Sequence, residues 1–265
     1  MTHCDIRRQL LLVVCMAALM CSASHCSAEL IRGFDVELQA ALTGEEIAVQ
    51  DDVWELQVQF KPMRMIWVDV TDARTGEQSK ALVWYLVYRV QNVPIERPED
   101  TSDTEPINTE DPLPGRPMFV PEFTLATTET DDLQVYPDVI VPEAQRAIER
   151  RERRALKNGV EIVGPIPASR PANGDDEDVY YGVAMWKSVD PQTDKFAVYM
   201  SGFSSAYQIR DGADGEPVVW RKTIVQIFDR PGDEYDEKEV EISRSSDPEW
   251  SYRPEQPAEE APLTQ

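Results

Sequence analysis

Apolar and polar residues alternate strictly over residues 54–60, so that the apolar side chains share one face of the segment. A period of two residues predicts an antiparallel strand with one buried face. Residues 82–90 are apolar at nearly every position, which predicts a central strand covered on both faces. Residues 180–189 and 195–203 flank a turn that begins with Asp190-Pro191, and this arrangement predicts a β-hairpin.

Further apolar segments predict more strands, at residues 65–70, 122–128, 159–163 and 218–228. One segment, residues 142–158, has a helical pattern, because Pro142 suits a first turn, Asn158-Gly159 suits an exit, and three alanines form an apolar stripe with Ile148. The chain is therefore predicted to be mainly β. We expect an antiparallel β-sandwich of Ig-like general architecture with one helix near residues 142–158.

Three segments rich in proline or acidic residues predict long loops. Residues 94–121 hold seven prolines, residues 165–178 end in an acidic run, and residues 244–265 hold four prolines. Low apolar content with high charge does not offset the entropy of ordering. We expect one β-sandwich domain over residues 29–243, a disordered acidic insertion at 94–121 and a disordered tail at 244–265.

The first 28 residues predict a signal peptide. Arg7 and Arg8 give a positive start, residues 10–20 are apolar, and small residues precede the expected cleavage before Glu29. An apolar run of this length is too short for a transmembrane helix, which needs about 20 residues. We expect export to the periplasm or the extracellular space, with no transmembrane helix after cleavage.

Composition excludes several kinds of chemistry from the rest of the chain. All four cysteines and both histidines lie in the first 28 residues, so residues 29–265 cannot form disulfides, thiol nucleophiles, histidine-dependent triads or zinc sites built on His or Cys. The net charge is −23, and Arg7, Arg8 and Asp5 give the leader +1, which leaves −24 for the rest. Such a surface disfavours nucleic acid and favours basic partners or cations.

Four segments together resemble a family of secreted proteins of planctomycete-type bacteria: KPMRMIWVDV at 61–70, VWYLVYRVQN at 83–92, YGVAMWKSVDPQTD at 181–194 with its continuation to 207, and RKTIVQIFDRPGD at 221–233. The resemblance spans about half of residues 29–265 and rests on strand and turn sequences. No activity, cofactor or functional residue is assigned in that family. The resemblance therefore implies an exported, envelope-associated β protein and no particular reaction.

Five tryptophans lie in predicted strands, namely Trp54, Trp67, Trp84, Trp186 and Trp220. An exposed row of such rings could stack on sugars, but the alternation around Trp54 favours the core. Trp67 is the best candidate for a surface ring, because it shares its predicted face with Met65 and Asp69. Asp69 lies in mid-strand, where we expect it to face water or to pair with a residue such as Arg64.

Other candidate groups do not single out a site. Acid-rich loops at residues 175–178 and 211–216 offer oxygen ligands for Ca²⁺, but neither has the order of an EF-hand loop, and solvated loops are the expected alternative. Ser201, Ser204 and Ser205 have no histidine to activate them, and the sequence marks no Ser-Lys pair. No catalytic, cofactor-binding or metal-ligating residue is assigned from the sequence.

The predicted helix is the one basic block, with six basic residues against three acidic residues over 143–157. Its charged face either docks an acidic partner or neutralises acidic loops of the protein itself, with Arg151 extending along the apolar stripe. Charge reversal at Arg150, Arg153 and Arg154 is expected to separate the two interpretations.

These observations favour a function without catalysis. We expect an exported envelope protein that acts by binding, or by structural association with a protein or envelope partner. The alternative is a carbohydrate-binding module or a carbohydrate-active enzyme that uses carboxylates ~5–10 Å apart together with tryptophans. A groove with two acids near exposed tryptophans favours the alternative, whereas buried tryptophans favour the first interpretation. No cofactor is expected.

Overall fold

A computed structural model describes residues 33–50, 52–72, 74–95, 116–127, 133–170, 178–190, 193–212, 215–230 and 242–254. The predicted signal peptide and most of the predicted insertion lie outside these residues. The described residues form two antiparallel sheets that share one core, which confirms the mainly β prediction and is consistent with a β-sandwich. No helix in the described part of the chain has the length and apolar character needed to span a membrane.

The first sheet is built around one long strand. Its strands are β1 (Val36–Leu38), β2 (Gln57–Phe60), β3 (Arg64–Thr71), β4 (Gln78–Gln91) and β9 (Tyr180–Lys187). β9 pairs with one edge of β4. The other edge of β4 pairs with β3 along its first half and with β2 near its end, and β1 pairs with β2. Because β4 has neighbours on both edges and packs on both faces, the predicted central strand is confirmed.

The second sheet is also built around one long strand, β12. Its strands are β6 (Glu122–Thr127), β7 (Val135–Pro137), β10 (Lys195–Ser201), β11 (Tyr207–Asp211), β12 (Pro217–Asp229), β13 (Ser243–Arg244) and β14 (Glu249–Pro254). Across the sheet the strands lie in the order β7, β6, β10, β12, β14. β11 pairs with the first part of β12, on the edge that β10 occupies further along. β13 pairs with the last two residues of β12, on the edge that β14 occupies. A small separate sheet pairs β5 (Met118–Phe119) with β8 (Gly164–Pro165).

The core between the sheets is largely aromatic. Trp84 and Trp186 are fully buried and lie opposite each other on β4 and β9. Trp84 packs edge-to-face on Phe196, with 5.2 Å between the ring centroids. Gly182 leaves room for Tyr88, because a Cβ at Gly182 would lie 2.2 Å from the Tyr88 ring. Each large ring buries about 150–250 Å², so these residues contribute much of the hydrophobic stabilisation.

The polar face of β2 is buried as well, which its alternating pattern does not reveal. Gln57 and Gln59 both donate to the carboxylate of Glu37 on β1, and Gln59 accepts from Arg89 at 3.4 Å. Buried amides are tolerated when such partners are present. β2 is therefore covered on both faces, and its expected half-burial is wrong.

In the described residues two helices accompany the sheets, and one of them was not predicted. α1 (Gly44–Val49) starts with a capping box, in which Thr43 Oγ1 accepts from the Glu46 amide at 3.2 Å and Glu46 Oε2 accepts from the Thr43 amide at 2.6 Å. A helix of six residues is too short to produce a clear apolar period, but the Thr-x-x-Glu spacing was present in the sequence.

α2 (Pro142–Glu152) confirms the predicted helix start and places its end earlier than predicted. Ile148 of the apolar stripe packs on the outer face of the first sheet. The helix stops because Arg153 adopts the left-handed conformation, with φ of 54°. The turn directs buried Leu156 onto the same sheet, where its amide donates to Glu149 at 3.0 Å.

The predicted β-hairpin of residues 180–189 and 195–203 is wrong. β9 pairs with β4 in the first sheet, whereas β10 pairs with β6 and β12 in the second, so the connection carries the chain from one sheet to the other.

Three boundaries also differ from the predictions. Residues 159–163 form turns instead of a strand, because the side-chain oxygen of Asn158 accepts from two following amides at 3.0 Å. The first part of the predicted tail contributes β13 and β14. The last part of the predicted insertion contributes β5, in which Phe119 is fully buried. In the predicted insertion, proline and charge concealed the buried Phe119, whereas β14 is half-buried and is held by its pairing with β12.

Candidate functional site

Four ionisable side chains, Lys222, Glu46, Glu55 and Tyr252, form what we term the Lys222 cluster. Lys222 Nζ lies 3.0 Å from the Glu46 carboxylate, 2.9 Å from that of Glu55 and 3.0 Å from the carbonyl oxygen of Ala41. Tyr252 donates a hydrogen bond to Glu46. Glu55 is 0% exposed and Lys222 is 5% exposed. The cluster joins the segment before β2 to β12 and β14.

The cluster is suited to holding the fold. Burial raises the pKa of Glu46, but hydrogen bonds from Thr43 and Tyr252 and the charge of Lys222 outweigh burial, so its pKa lies below the ordinary value. Burial and the bond to Glu46 raise the pKa of Tyr252. Lys222 donates to Glu46 and to the carbonyl oxygen of Ala41, and it forms an ion pair with Glu55. Lys222 is therefore engaged in contacts within the cluster.

A groove of about 810 Å³ crosses the outer face of the second sheet. Its floor is formed by residues of β6, β10 and β12 and is largely polar. The apolar residues that alternate with them on the same strands point into the core. Tyr199 lies between Thr124 and Val225 in the strand register, and Ser201 lies beside Glu122 with 3.4 Å between hydroxyl and carboxylate. The sheet thus presents hydroxyl groups to whatever occupies the groove.

Exposed apolar side chains border the groove and continue beyond it. We term this set the apolar edge: Met118, Val120, Leu133, Val135, Val139, Ile140, Val160 and Val163. The first four line the groove. The β5–β8 pairing brings Val120 close to Val163. The segment of Val139 lies close to that of Val160, because the carboxylate of neighbouring Asp138 would be 2.9 Å from a Cβ added at Gly159. Segments distant in sequence therefore contribute exposed apolar side chains to the region around the groove.

Basic residues lie at the opposite side of the groove. The Arg253 guanidinium lies 3.7 Å from the centroid of the Tyr199 ring, and Arg253 is paired with Arg221 between β14 and β12. The stacking covers a face of Tyr199 that a sugar ring would otherwise use. The groove therefore has one apolar wall and one positive wall.

Two carboxyl groups near the groove have different environments. Glu122 lines the groove, whereas Asp138 is partly buried just after β7. Burial, with a smaller contribution from the charge of Glu122, raises the pKa of Asp138. A carboxyl with a raised pKa near a second carboxyl is one feature that glycoside hydrolysis requires.

The structure separates the tryptophans singled out in the sequence. Trp84 and Trp186 are core residues, as predicted, while Trp54 and Trp220 are half-buried. Trp67 is 45% exposed, which confirms it as a surface ring, but it lies on β3 of the first sheet and not in the groove. No fully exposed tryptophan lines the groove among the residues that the structure describes.

Two sequence candidates turn out to be unremarkable surface or loop positions. Asp69 is exposed and faces water, as expected, because Arg64 pairs instead with Glu152 at 3.3 Å. The predicted calcium loops fall partly on residues 175–177 and 213–214, outside the described residues. Within the described ranges no group of three acids is arranged to hold a metal ion.

The basic residues near α2 divide into two groups. Three have structural contacts: Arg151 donates to the Met65 carbonyl at 3.4 Å, Arg154 lies 3.9 Å from the Tyr181 ring centroid, and Lys157 lies 5.0 Å from that of Tyr180. The other three, Arg146, Arg150 and Arg153, are exposed around a hollow of about 460 Å³. Arg154 therefore belongs to the packing and is unsuited to the predicted charge-reversal test.

Sequence reasoning missed most of the residues that build the groove. Arg253 and Tyr252 fell in the predicted tail, although the alternation of Trp250 and Tyr252 was a strand signal. The apolar edge had no local signal, because its valines are scattered over three segments. Asp138 was one acid among many.

Comparison of the chain with protein-family models, with curated proteins and with solved structures found no match. The fold and the groove alone define the class, a mainly β protein with a surface groove.

Proposed function

We propose that this protein is an exported bacterial envelope protein that acts by binding an extended segment of a partner protein in the groove and along the apolar edge. The distribution of exposed apolar side chains supports the proposal best. Of thirteen large apolar side chains exposed in the described part of the chain, eight form the apolar edge, although the chain has a net charge of −23. A concentration of exposed apolar side chains at and near a groove, on so acidic a protein, is typical of an interaction site.

The two walls of the groove suggest what the partner segment carries. An extended peptide directs alternate side chains to opposite sides. Apolar side chains on one side would contact Val120 and Val135, and a carboxylate on the other would meet Arg253. Carboxylate and guanidinium form strong paired hydrogen bonds. The favoured ligand is therefore a protein segment that mixes apolar and acidic residues.

The envelope location is supported by the sequence alone. The predicted signal peptide and the resemblance to secreted proteins both favour export. A binding role also agrees with the lack of histidine and cysteine in residues 29–265.

Selection from a library of random peptides displayed against the purified protein tests the proposal. We expect the selected peptides to be rich in acidic and apolar residues. Leu133→Asp with Val135→Asp should weaken their binding about tenfold, close to 1.4 kcal/mol, because charge replaces the apolar wall. Arg221→Ala with Arg253→Ala should have a similar effect. Fluorescence anisotropy of labelled peptides gives the dissociation constants.

Ile209→Asp is the matched control, because Ile209 is 65% exposed on β11, outside the apolar edge. It should bind peptide like the unmodified protein, and all variants should keep its melting temperature. Failure to select any peptide, or equal weakening by Ile209→Asp, would contradict the proposal.

A second candidate function is glycoside hydrolysis, favoured by the raised pKa of Asp138 near Glu122. It predicts release of reducing sugar from a panel of polysaccharides, and a loss of about 10²–10⁴-fold in Asp138→Asn. Our main proposal predicts no release.

Because the folded-state pKa of Asp138 is raised, its ionisation opposes folding as pH rises from acid to neutral. Asp138→Asn should remove this contribution, which pH-dependent denaturation measures whether or not hydrolysis occurs.

A further inference from the structure

We infer that Arg146, Arg150 and Arg153 form a second docking site, which takes an acidic segment of a partner protein. The three side chains lie on the exposed face of α2 and its end, opposite the face that packs on the first sheet. The site is separate from the groove and does not depend on what the groove binds.

The spacing of the three arginines favours an elongated ligand. Arg146 and Arg150 occupy positions i and i+4 of α2, one turn apart, and Arg153 follows directly after the helix ends. Each guanidinium can form a paired hydrogen bond with a carboxylate. Arg146 has one loose ion pair, 3.8 Å from Glu143. The row therefore presents positive charge that the helix itself hardly neutralises.

Arg153 ends α2 at a position where glycine is more usual. Its φ of 54° places it in the left-handed region, which disfavours a side chain. A cation near the C-terminal end of a helix is favoured by the helix dipole. That benefit does not extend to Arg146 in the first half of α2, so the dipole alone does not explain the row.

The surroundings favour a peptide over a densely charged polymer. The carboxylate of Glu149 also lines the hollow, although its Oε1 accepts from the Leu156 amide. A continuous polyphosphate would be repelled by Glu149, whereas a peptide can place its carboxylates at the arginines alone. Because the protein has a net charge of −23, an acidic peptide has no general attraction to it. The arginine variant described next distinguishes binding at this site from binding at Arg253 of the groove.

A fluorescein-labelled oligoglutamate peptide is the probe, with binding measured by anisotropy at low salt. The variant Arg146→Ala/Arg150→Ala/Arg153→Ala should weaken binding at least about tenfold. The control variant Arg74→Ala/Lys80→Ala/Lys195→Ala removes three exposed cations elsewhere and should leave the affinity nearly unchanged. Binding should also weaken as salt is added.

Three results would overturn the inference. The first is no binding of oligoglutamate at low salt, with or without binding of sodium polyphosphate. The second is equal weakening in both triple variants, which would mean a response to net charge only. The third is a fall in melting temperature confined to the α2 variant without loss of peptide binding, which would mean that the arginines neutralise acids of this chain.

Discussion

Replacing Lys222 with methionine should lower the free energy of unfolding by about 3–5 kcal/mol, the largest effect that we expect from a single substitution. The change leaves Glu46 and Glu55 buried without their cation, while the methionine fills a similar volume. Denaturant unfolding followed by tryptophan fluorescence measures the loss. Adding Glu46→Gln and Glu55→Gln to Lys222→Met should recover a large part of it, because no buried charge then remains.

Lys195→Met serves as the control, since Lys195 is exposed on β10 and should change stability by less than about 0.5 kcal/mol. Equal effects of the two lysine substitutions would show that the Lys222 cluster does not stabilise the fold.

The same cluster predicts how stability depends on pH. The pKa of Glu46 is lowered from its ordinary value of 4.5, so its contribution is present above pH 4.5 and is lost as pH falls through the folded-state pKa. The stability difference between the unmodified protein and Glu46→Gln should therefore be largest near neutral pH and shrink in acid.

Replacing Gly202 with alanine should cost about 2–4 kcal/mol, the second large effect. Gly202 has a φ of +81°, and an added Cβ would lie 2.0 Å from the carbonyl oxygen of Val120. That oxygen belongs to the backbone, so relief requires movement of the β5–β6 connection. Because Val120 is part of the groove wall, the variant should also weaken binding of any peptide selected against the groove. Thermal unfolding and anisotropy measure the two effects.

Gly215→Ala separates backbone conformation from contact. Gly215 has a φ of +83° and no atom within 4 Å of an added Cβ, so its substitution should cost only about 1 kcal/mol. If both alanine variants lose the same stability, the close approach of Gly202 to Val120 contributes nothing.

The predictability of each element followed from the length of its local pattern. The alternation that ends in β2 and the apolar run of β4 each extend over several residues and were predicted. The turn between β9 and β10 was also predicted, but the hairpin was wrong, because local turn chemistry does not decide which strands pair. β1, β7 and α1 have three, three and six residues, too few for a period to stand out. α2 was predicted to run too far, because its end depends on Leu156 reaching the first sheet rather than on Gly159.

The candidate site was less predictable than the fold, because surface function here depends on grouping rather than on residue type. Trp67 was identified as a surface ring, yet it lies on the wrong sheet for the groove. Arg253 and Val135 have nothing unusual around them in the sequence. Only the register of β6, β7, β12 and β14 makes them opposite walls of one groove.

The sequence by itself determined the mainly β class, the acidic character and the lack of histidine and cysteine after residue 28, because these follow from composition and short-range periodicity. The tertiary structure decided which charges are buried together and which apolar residues share a surface. Glu46 and Tyr252 are 206 positions apart, and the apolar edge draws on three separate segments. Contacts at such separations depend on how the whole chain packs, and no local pattern encodes them.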